Sequence, residues 1–152
     1  MTATNHALAG ALIGLTVGNP VLAIPAAFVS HFVLDAIPHY DQPGEELARY
    51  RSNRFRNELL AHALLCFLLV VLLAITRPTH WLTAALCAFV ATSPDLFWIP
   101  KFVAAKRHSQ LLKNRTRFWR FHDWIQWRTG PELLWVEIVW FLVVGFVLVT
   151  RL

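Results

Sequence analysis

Five long apolar stretches, separated by short polar ones, constrain the fold of this chain more than any other feature of its sequence. They cover residues 5–18, 20–37, 57–76, 80–98 and 131–151. Apolar stretches of about 20 residues are typical of membrane-spanning helices. A chain of 152 residues in which 57% are hydrophobic is also too apolar for an ordinary soluble domain. The sequence therefore predicts an all-α integral membrane bundle that forms a single domain, residues 1–152.

Turn sequences divide the five predicted helices into two helical hairpins and a C-terminal transmembrane helix. Gly18-Asn19-Pro20 separates the first two helices, and Arg77-Pro78-Thr79 separates the third and fourth. The first helix would measure only roughly 21 Å, whereas the hydrocarbon core of a bilayer is roughly 30 Å thick. We therefore expect either a partly re-entrant first hairpin or a bilayer that thins around it.

Basic residues are distributed unequally between the two ends of the predicted bundle. Of the 14 Lys and Arg residues, 12 fall in the polar regions 38–56 and 99–130, which the hairpins place at one end. The other end has only Arg77 and Arg151. Because cytoplasmic loops carry the excess of Lys and Arg, the pattern predicts a multi-pass protein of the cell inner (plasma) membrane with a cytoplasmic N-terminus.

Histidine and aspartate side chains lie at matching depths in the two hairpins. His6 and His31 are 13 and 12 residues from the first turn, and His62 and Asp95 are 16 and 17 residues from the second. Asp35 lies one helical turn beyond His31, on the same face. Imidazole and carboxylate groups are the ligands that Zn²⁺, Mn²⁺ and Fe²⁺ prefer. These five residues are the predicted ligands of a divalent metal site, zinc or manganese, with room for two ions; a structural hydrogen-bond and ion-pair network is the alternative.

Three further residues are candidate catalytic groups beside this site. Glu58 lies four residues before His62 on the third helix, and Glu137 lies near the start of the fifth. Either carboxylate could orient a metal ligand or act as a general base. His39 and Asp41 follow Pro38 at the predicted membrane surface, where they could be ligands or substrate contacts or ordinary solvated residues.

The segment 101–128 mixes basic and aromatic residues. Its densest part reads "RHSQLLKNRTRFWRFHDWIQWR" from residue 107. Such a composition suits an interfacial helix, in which the basic residues meet lipid phosphates and the aromatic residues enter the head-group region. We therefore expect membrane lipids, and no nucleic acid, as its partners.

The motifs "TNHALAGALIG", "HFVLDAIPH" and "SPDLFW" resemble those of LexA-binding, inner-membrane-associated metal-dependent hydrolases. The resemblance covers about the first 100 residues and places the family's N-terminal histidine on His6 and its Pro-Asp helix end on Pro94-Asp95. That family also carries Asp-His after its Pro-Asp and a later His-Arg-Gly-x-Thr-His-Ser signature. This chain has Leu96-Phe97 after Asp95, and its nearest late match is Phe121-His122-Asp123.

Together these observations predict a membrane-embedded metal-dependent hydrolase that acts at the cytoplasmic face on a phosphoester, such as a phospholipid-type substrate. Its partners would be an anionic or phosphate-bearing substrate and membrane lipids. A non-enzymatic membrane module, with a structural or regulatory metal site and a protein partner, is the alternative. An ion or proton carrier ranks third, because the outer halves of the predicted helices are almost purely apolar.

Overall fold

The fold is all-helical in the residues that the computed structural model describes, 1–43, 45–106 and 116–152, which confirms the all-α part of the predicted fold class. The α-helices are α1 (Ala3–Val17), α2 (Pro20–Asp35), α3 (Glu46–Arg51), α4 (Asn53–Thr76), α5 (Trp81–Thr92), α6 (Ile99–Lys106), α7 (Arg117–Ile125) and α8 (Leu134–Val149). Two 3₁₀ turns extend this set, Ser93–Trp98 after α5 and Pro131–Leu133 before α8.

Among the described residues, three helical segments are long and apolar enough to cross a membrane. They are Asn53–Thr76 with 24 residues, Trp81–Trp98 with 18 and Pro131–Val149 with 19. The helices of the first hairpin, α1 and α2, are equally apolar but have only 15 and 16 residues. The short first hairpin expected from the sequence is therefore present.

Local sequence explains where the first hairpin turns. Gly18 ends α1 with φ of +70°, a conformation that costs glycine little because it has no Cβ. The Asn19 side chain then accepts a hydrogen bond from the backbone N–H of Val21, which caps α2. Pro20 occupies the first turn of α2, where its missing N–H removes no helical hydrogen bond.

Helix α1 lies at the centre of the bundle and packs most closely on α5. A Cβ atom at Gly10 would lie 2.3 Å from the Cys87 carbonyl oxygen, and one at Gly14 would lie 2.4 Å from the Ala84 Cα. The small residues of α2 face the same helix, since Ala23 and Ala27 cluster with Cys87 and Ala91. The small-residue stripes of the first hairpin therefore converge on α5, and small residues are what allow such close helix contacts in membranes.

The two basic polar regions meet at one end of the bundle, and each contains short helices. Arg51 in α3 donates from Nε to the Ala105 carbonyl of α6 at 3.0 Å. His39 pairs with Thr129 in an isolated parallel bridge. The described parts of regions 38–56 and 99–130 therefore lie on the same side, as the hairpins require. Much of the predicted interfacial segment forms α6 and α7, while residues 107–115 lie outside the described part of the chain.

The close α1–α5 contact predicts that Gly14→Ala destabilises the protein. The added methyl group would overlap the α5 backbone, and overpacking of this kind costs about 1–3 kcal/mol. The measurement is the thermal unfolding temperature of the purified protein in detergent. Gly145→Ala is the matched control, because a Cβ there meets nothing within 4 Å. An equal unfolding temperature for the two variants would contradict the packing described here.

Candidate metal centre

The carboxylate of Asp35, at the end of α2, is the centre of a buried polar cluster. Its Oδ2 atom lies 3.3 Å from His31 Nε2 and 3.2 Å from His122 Nε2. The side-chain amide of Gln126 also donates to Oδ2, at 3.0 Å. The two histidines come from helices far apart in the sequence, α2 and α7, so this oxygen atom joins the first hairpin to the second polar region.

The other carboxylate oxygen of Asp35 faces the start of the chain. The α-amino group of Met1 donates to Oδ1, and His6 Nε2 lies 3.1 Å from the same atom. The His6 ring stacks on the His31 ring with 4.1 Å between centroids. A carboxylate offers about four lone-pair sites in all, so the nitrogen atoms around Asp35 fill or exceed its capacity as an acceptor.

Four of these side chains could hold a metal ion. His31, Asp35, Asp95 and His122 each offer one ligand atom, and the four atoms all lie within 4.8 Å of one another. His31 Nε2 and His122 Nε2 are 3.2 Å apart, and Asp95 Oδ1 lies 3.8 Å from His31 Nε2. Ligands bound to zinc at about 2.0–2.1 Å in tetrahedral geometry are separated by about 3.3 Å. The His31, His122 and Asp35 atoms therefore already have the spacing of three tetrahedral ligands.

The tautomer of His31 favours a cation at this position. Its Nδ1 lies 2.8 Å from the Ala91 carbonyl oxygen, which can only accept, so Nδ1 carries a proton. In the neutral ring, Nε2 then presents a lone pair to the Asp35 and Asp95 carboxylates. Two acceptors in contact repel each other unless a proton or metal ion lies between them. Carbonyl contacts of this kind also orient metal-binding histidines in known zinc sites.

The cluster is enclosed except on the side of Asp95. The side chains of His31, Asp35 and His122 are 0–1% exposed, whereas that of Asp95 is 28% exposed. Asp95 lies in the 3₁₀ turn after α5 and lines a cavity of about 220 Å³, the polar cavity. Its wall also includes His39, Arg49, Glu58, His62 and Gln126. A small molecule in this cavity would contact Asp95 directly.

Helix α7 has a buried face and an exposed face, and His122 lies on the buried face. Thr116 caps the helix by accepting from the Trp119 backbone N–H at 3.5 Å. Trp119 and His122 are buried, and the Trp119 ring packs on Trp98 with 4.1 Å between centroids. Phe121 and Trp124 are exposed, although the Phe121 ring also contacts Phe32 of α2. The buried face of α7 therefore directs the His122 imidazole into the bundle, and the other face leaves aromatic side chains exposed.

Two of the predicted ligands lie outside the four-residue group. His6 contacts Asp35 and stacks on His31, so it adjoins the group. His62 lies instead against Thr4, whose hydroxyl is 2.8 Å from His62 Nδ1, and it lines the polar cavity. The distance of His62 from the second turn predicts its level along the bundle. Depth alone does not fix the direction in which a side chain points around its helix.

The Glu137 carboxylate accepts hydrogen bonds from residues at the start of α1. The donors are the Thr2 backbone N–H at 3.1 Å, the Thr2 hydroxyl at 2.9 Å and the Asn5 side-chain amide at 2.6 Å. An acidic group at a helix N-terminus satisfies free N–H groups and interacts favourably with the helix dipole. Glu137 thus attaches α8 to α1, and its catalytic role stays a prediction.

Glu58 and His39 both line the polar cavity. Glu58 accepts hydrogen bonds from Tyr40, Gln42 and Arg54. His39 Nδ1 lies 2.7 Å from the Ile37 carbonyl, so this nitrogen donates and Nε2 is the acceptor. Burial, reinforced by the Met1 amino group, lowers the pKa of His39 and favours the neutral ring. Both residues are placed where a substrate could meet them.

His122 is the member of the four-residue group that was not predicted from the sequence. It lies in a basic and aromatic segment whose composition indicated membrane contact, so the histidine was not identified as a candidate ligand. A weak signal was present, because His122 is the nearest late match to the histidine signature of the hydrolase family. The inward-facing pair Trp119 and His122 also shares a face at i and i+3.

No protein-family model, curated protein or solved structure matches this chain. The resemblance to LexA-binding metal-dependent hydrolases therefore stays a prediction from the sequence.

The geometry predicts that His122→Ala weakens metal binding. Residues that merely orient a ligand change metal affinity by about 10- to 100-fold, so loss of a ligand should lower zinc affinity by at least about 100-fold. The measurement is competition with a chromophoric chelator. His80→Ala, which removes an exposed histidine at the opposite end, should leave the affinity unchanged. Equal zinc affinity in parent and His122→Ala would exclude His122 as a ligand.

Proposed function

We propose that this protein is a membrane-embedded, metal-dependent hydrolase of phosphoesters. The observation that carries the proposal is the set of spacings among His31 Nε2, His122 Nε2 and Asp35 Oδ2, which are 3.2, 3.2 and 3.3 Å. These spacings match the edges of a tetrahedral zinc site, about 3.3 Å. Manganese is the alternative ion, since imidazole and carboxylate ligands also suit it.

The ligand set divides into a closed part and an open part, and this favours catalysis over a purely structural role. Structural zinc sites are surrounded by four protein ligands, whereas catalytic sites keep one position for water or substrate. Here His31, Asp35 and His122 would be three buried ligands, and the fourth position would face the polar cavity, where the partly exposed Asp95 carboxylate lies. When bound, the ion would polarise a phosphoryl oxygen and make a water molecule more acidic.

The residues of the polar cavity supply the other functions that hydrolysis needs. The Asp95 carboxylate and the His39 Nε2 atom are acceptors that could take a proton from the attacking water. Arg49 contributes a cation beside Asp41; burial opposes that charge, but contact with Asp41 prevails and raises the pKa of Arg49. A phosphate group carries the complementary charge, and Arg is well suited to binding it. Glu58 would orient the polar groups around it.

A second metal ion would require the other side of Asp35. His6 Nε2 and Asp35 Oδ1 lie 3.1 Å apart there, so Asp35 could bridge two ions as carboxylates do in two-metal phosphoesterases. The number of bound ions per chain distinguishes a one-metal site from a two-metal site.

Asp35→Asn should lower metal content and reduce phosphoesterase turnover by about a thousandfold, equivalent to several kcal/mol of transition-state stabilisation. Asparagine keeps the size of the side chain but removes its charge. Membrane insertion should persist, because removing a buried charge does not oppose it. The assay is phosphate release from a panel of phosphomonoesters and phosphodiesters with added Zn²⁺ or Mn²⁺. Asp41→Asn, at an exposed carboxylate, is the matched control and should retain metal.

Two results would refute the enzyme proposal. The first is a parent protein that binds no metal and releases no phosphate from any member of the panel. The second is a parent protein that binds metal but turns over nothing, which would favour the structural or regulatory module.

We also propose that the bundle lies in the cell inner membrane with the metal centre at the cytoplasmic face. The three helices of sufficient length and the 12 basic residues in regions 38–56 and 99–130 support this arrangement. The Arg51–Ala105 and His39–Thr129 contacts between the described parts of these regions also support it.

This orientation predicts unequal labelling of two introduced cysteines in intact cells. Arg56→Cys, at the polar end, should resist a membrane-impermeant thiol reagent, whereas Arg151→Cys, at the opposite end, should react. Both arginines are exposed, so they differ chiefly in the side of the bundle on which they lie. Permeabilising the cells should make the two cysteines react equally. Labelling of Arg56→Cys in intact cells would reverse the proposed orientation.

A further inference from the structure

The polar cavity adjoins a second cavity, the apolar groove, which lies between α4 and α8. The groove has a volume of about 360 Å³. Four residues line both cavities, namely Thr2, Tyr40, Glu58 and His62. The groove therefore begins at the wall of the cavity that Asp95 lines.

Polarity falls along one wall of the groove. On α4, the lining residues are Arg54, Glu58, His62 and Leu65, spaced four, four and three residues apart and hence on one helix face. These residues span about 16 Å at 1.5 Å per residue. The wall thus changes from a charged end to an apolar end over the length of a medium hydrocarbon chain.

The opposite wall repeats the same change. On α8, Glu137 is followed by Ile138, Phe141 and Leu142, all of which line the groove. These three apolar residues are 51%, 42% and 61% exposed, so the groove is open to the surroundings of the bundle. Further along the same helix, Val144 is buried in the cluster that also contains Leu69 of α4. The groove therefore has an open side and an apolar end.

The junction between cavity and groove carries an unsatisfied polar atom. Asn5 lines the groove, is 1% exposed and donates to Glu137. Its Oδ1 atom has no hydrogen-bond partner among the described residues. A buried acceptor without a partner is costly, so a bound molecule that brings a hydrogen-bond donor to this atom would stabilise this position.

We propose that the apolar groove binds the hydrocarbon chain of a membrane lipid whose phosphate group occupies the polar cavity. The inference rests on the proposed function and names the substrate class as a long-chain phosphate ester taken directly from the bilayer. Arg49 and Arg54, which pair with Asp41 and Glu58, are the cations available to the anionic head, and Leu65, Ile138 and Phe141 match the chain. The open side between α4 and α8 would admit the lipid laterally.

Filling the groove tests this inference. Leu65→Trp and Ile138→Trp each place a bulky side chain in it from opposite walls. The neighbouring Leu64→Trp and Val139→Trp are matched controls, because these residues are exposed but do not line the groove. The probe is a phosphatidic acid with a photoreactive group in its acyl chain, presented in phosphatidylcholine vesicles that contain the protein. Cross-linked residues are identified by mass spectrometry.

We expect cross-links on the groove faces of α4 and α8 in the parent protein and in both controls. Leu65→Trp and Ile138→Trp should reduce them about tenfold, which corresponds to losing contact with about two methylene groups. The same two variants should reduce kcat/KM for long-chain phosphatidic acid while leaving turnover of a water-soluble, short-chain phosphoester unchanged.

The outcomes separate this inference from the proposed function. Lipid binding in the groove would be refuted by cross-links distributed evenly over the outer surface, or by cross-links that neither groove variant reduces. An equal loss of cross-links in the control variants would refute it as well. A partner helix seated in the groove would exclude the lipid and give the same negative result. Groove-specific cross-links without turnover of any phosphoester would support lipid binding and refute the hydrolase.

Discussion

The structure depends on the burial of one carboxylate, that of Asp35. A charged group removed from water is strongly destabilising unless cations or hydrogen-bond donors surround it. Here the compensation comes from the start of the chain, from α1, from α2 itself and from α7, through Met1, His6, His31 and His122. Elements that are distant in sequence must therefore meet at one point, and the polar end of the bundle is organised around it.

The packing of small residues sets the positions of the ligands. Because Gly10 and Gly14 let α1 lie against the α5 backbone, His6 comes within hydrogen-bond distance of Asp35. Because Ala23 and Ala27 bring α2 equally near, the Ala91 carbonyl of α5 reaches His31 and fixes its tautomer. A larger side chain in these contacts would move the ligands apart. The apolar core and the polar cluster are thus one structural unit.

The helices could be predicted from sequence more completely than the site. Long apolar stretches, turn residues and charge asymmetry are local signals, and they located the hairpins and the polar end. Depth along the helices also identified His31, Asp35 and Asp95 as neighbours. Depth alone could not show that His62 points elsewhere, because the direction of a side chain around its helix axis depends on how the helices pack. His122 was missed because its helix has no apolar run of membrane-spanning length, and only the folded chain brings it to Asp35.

The two faces of α7 connect the membrane surface to the metal centre. Its inner face supplies His122, while Phe121 and Trp124 on its outer face are exposed aromatic side chains of the kind that enter lipid head groups. Under the proposed function, α7 takes part in two binding equilibria, one with lipid and one with metal. Thermodynamic reciprocity then applies: whatever factor lipid adsorption adds to metal affinity, metal occupancy adds to lipid adsorption. The composition of the bilayer would then be a determinant of metal affinity.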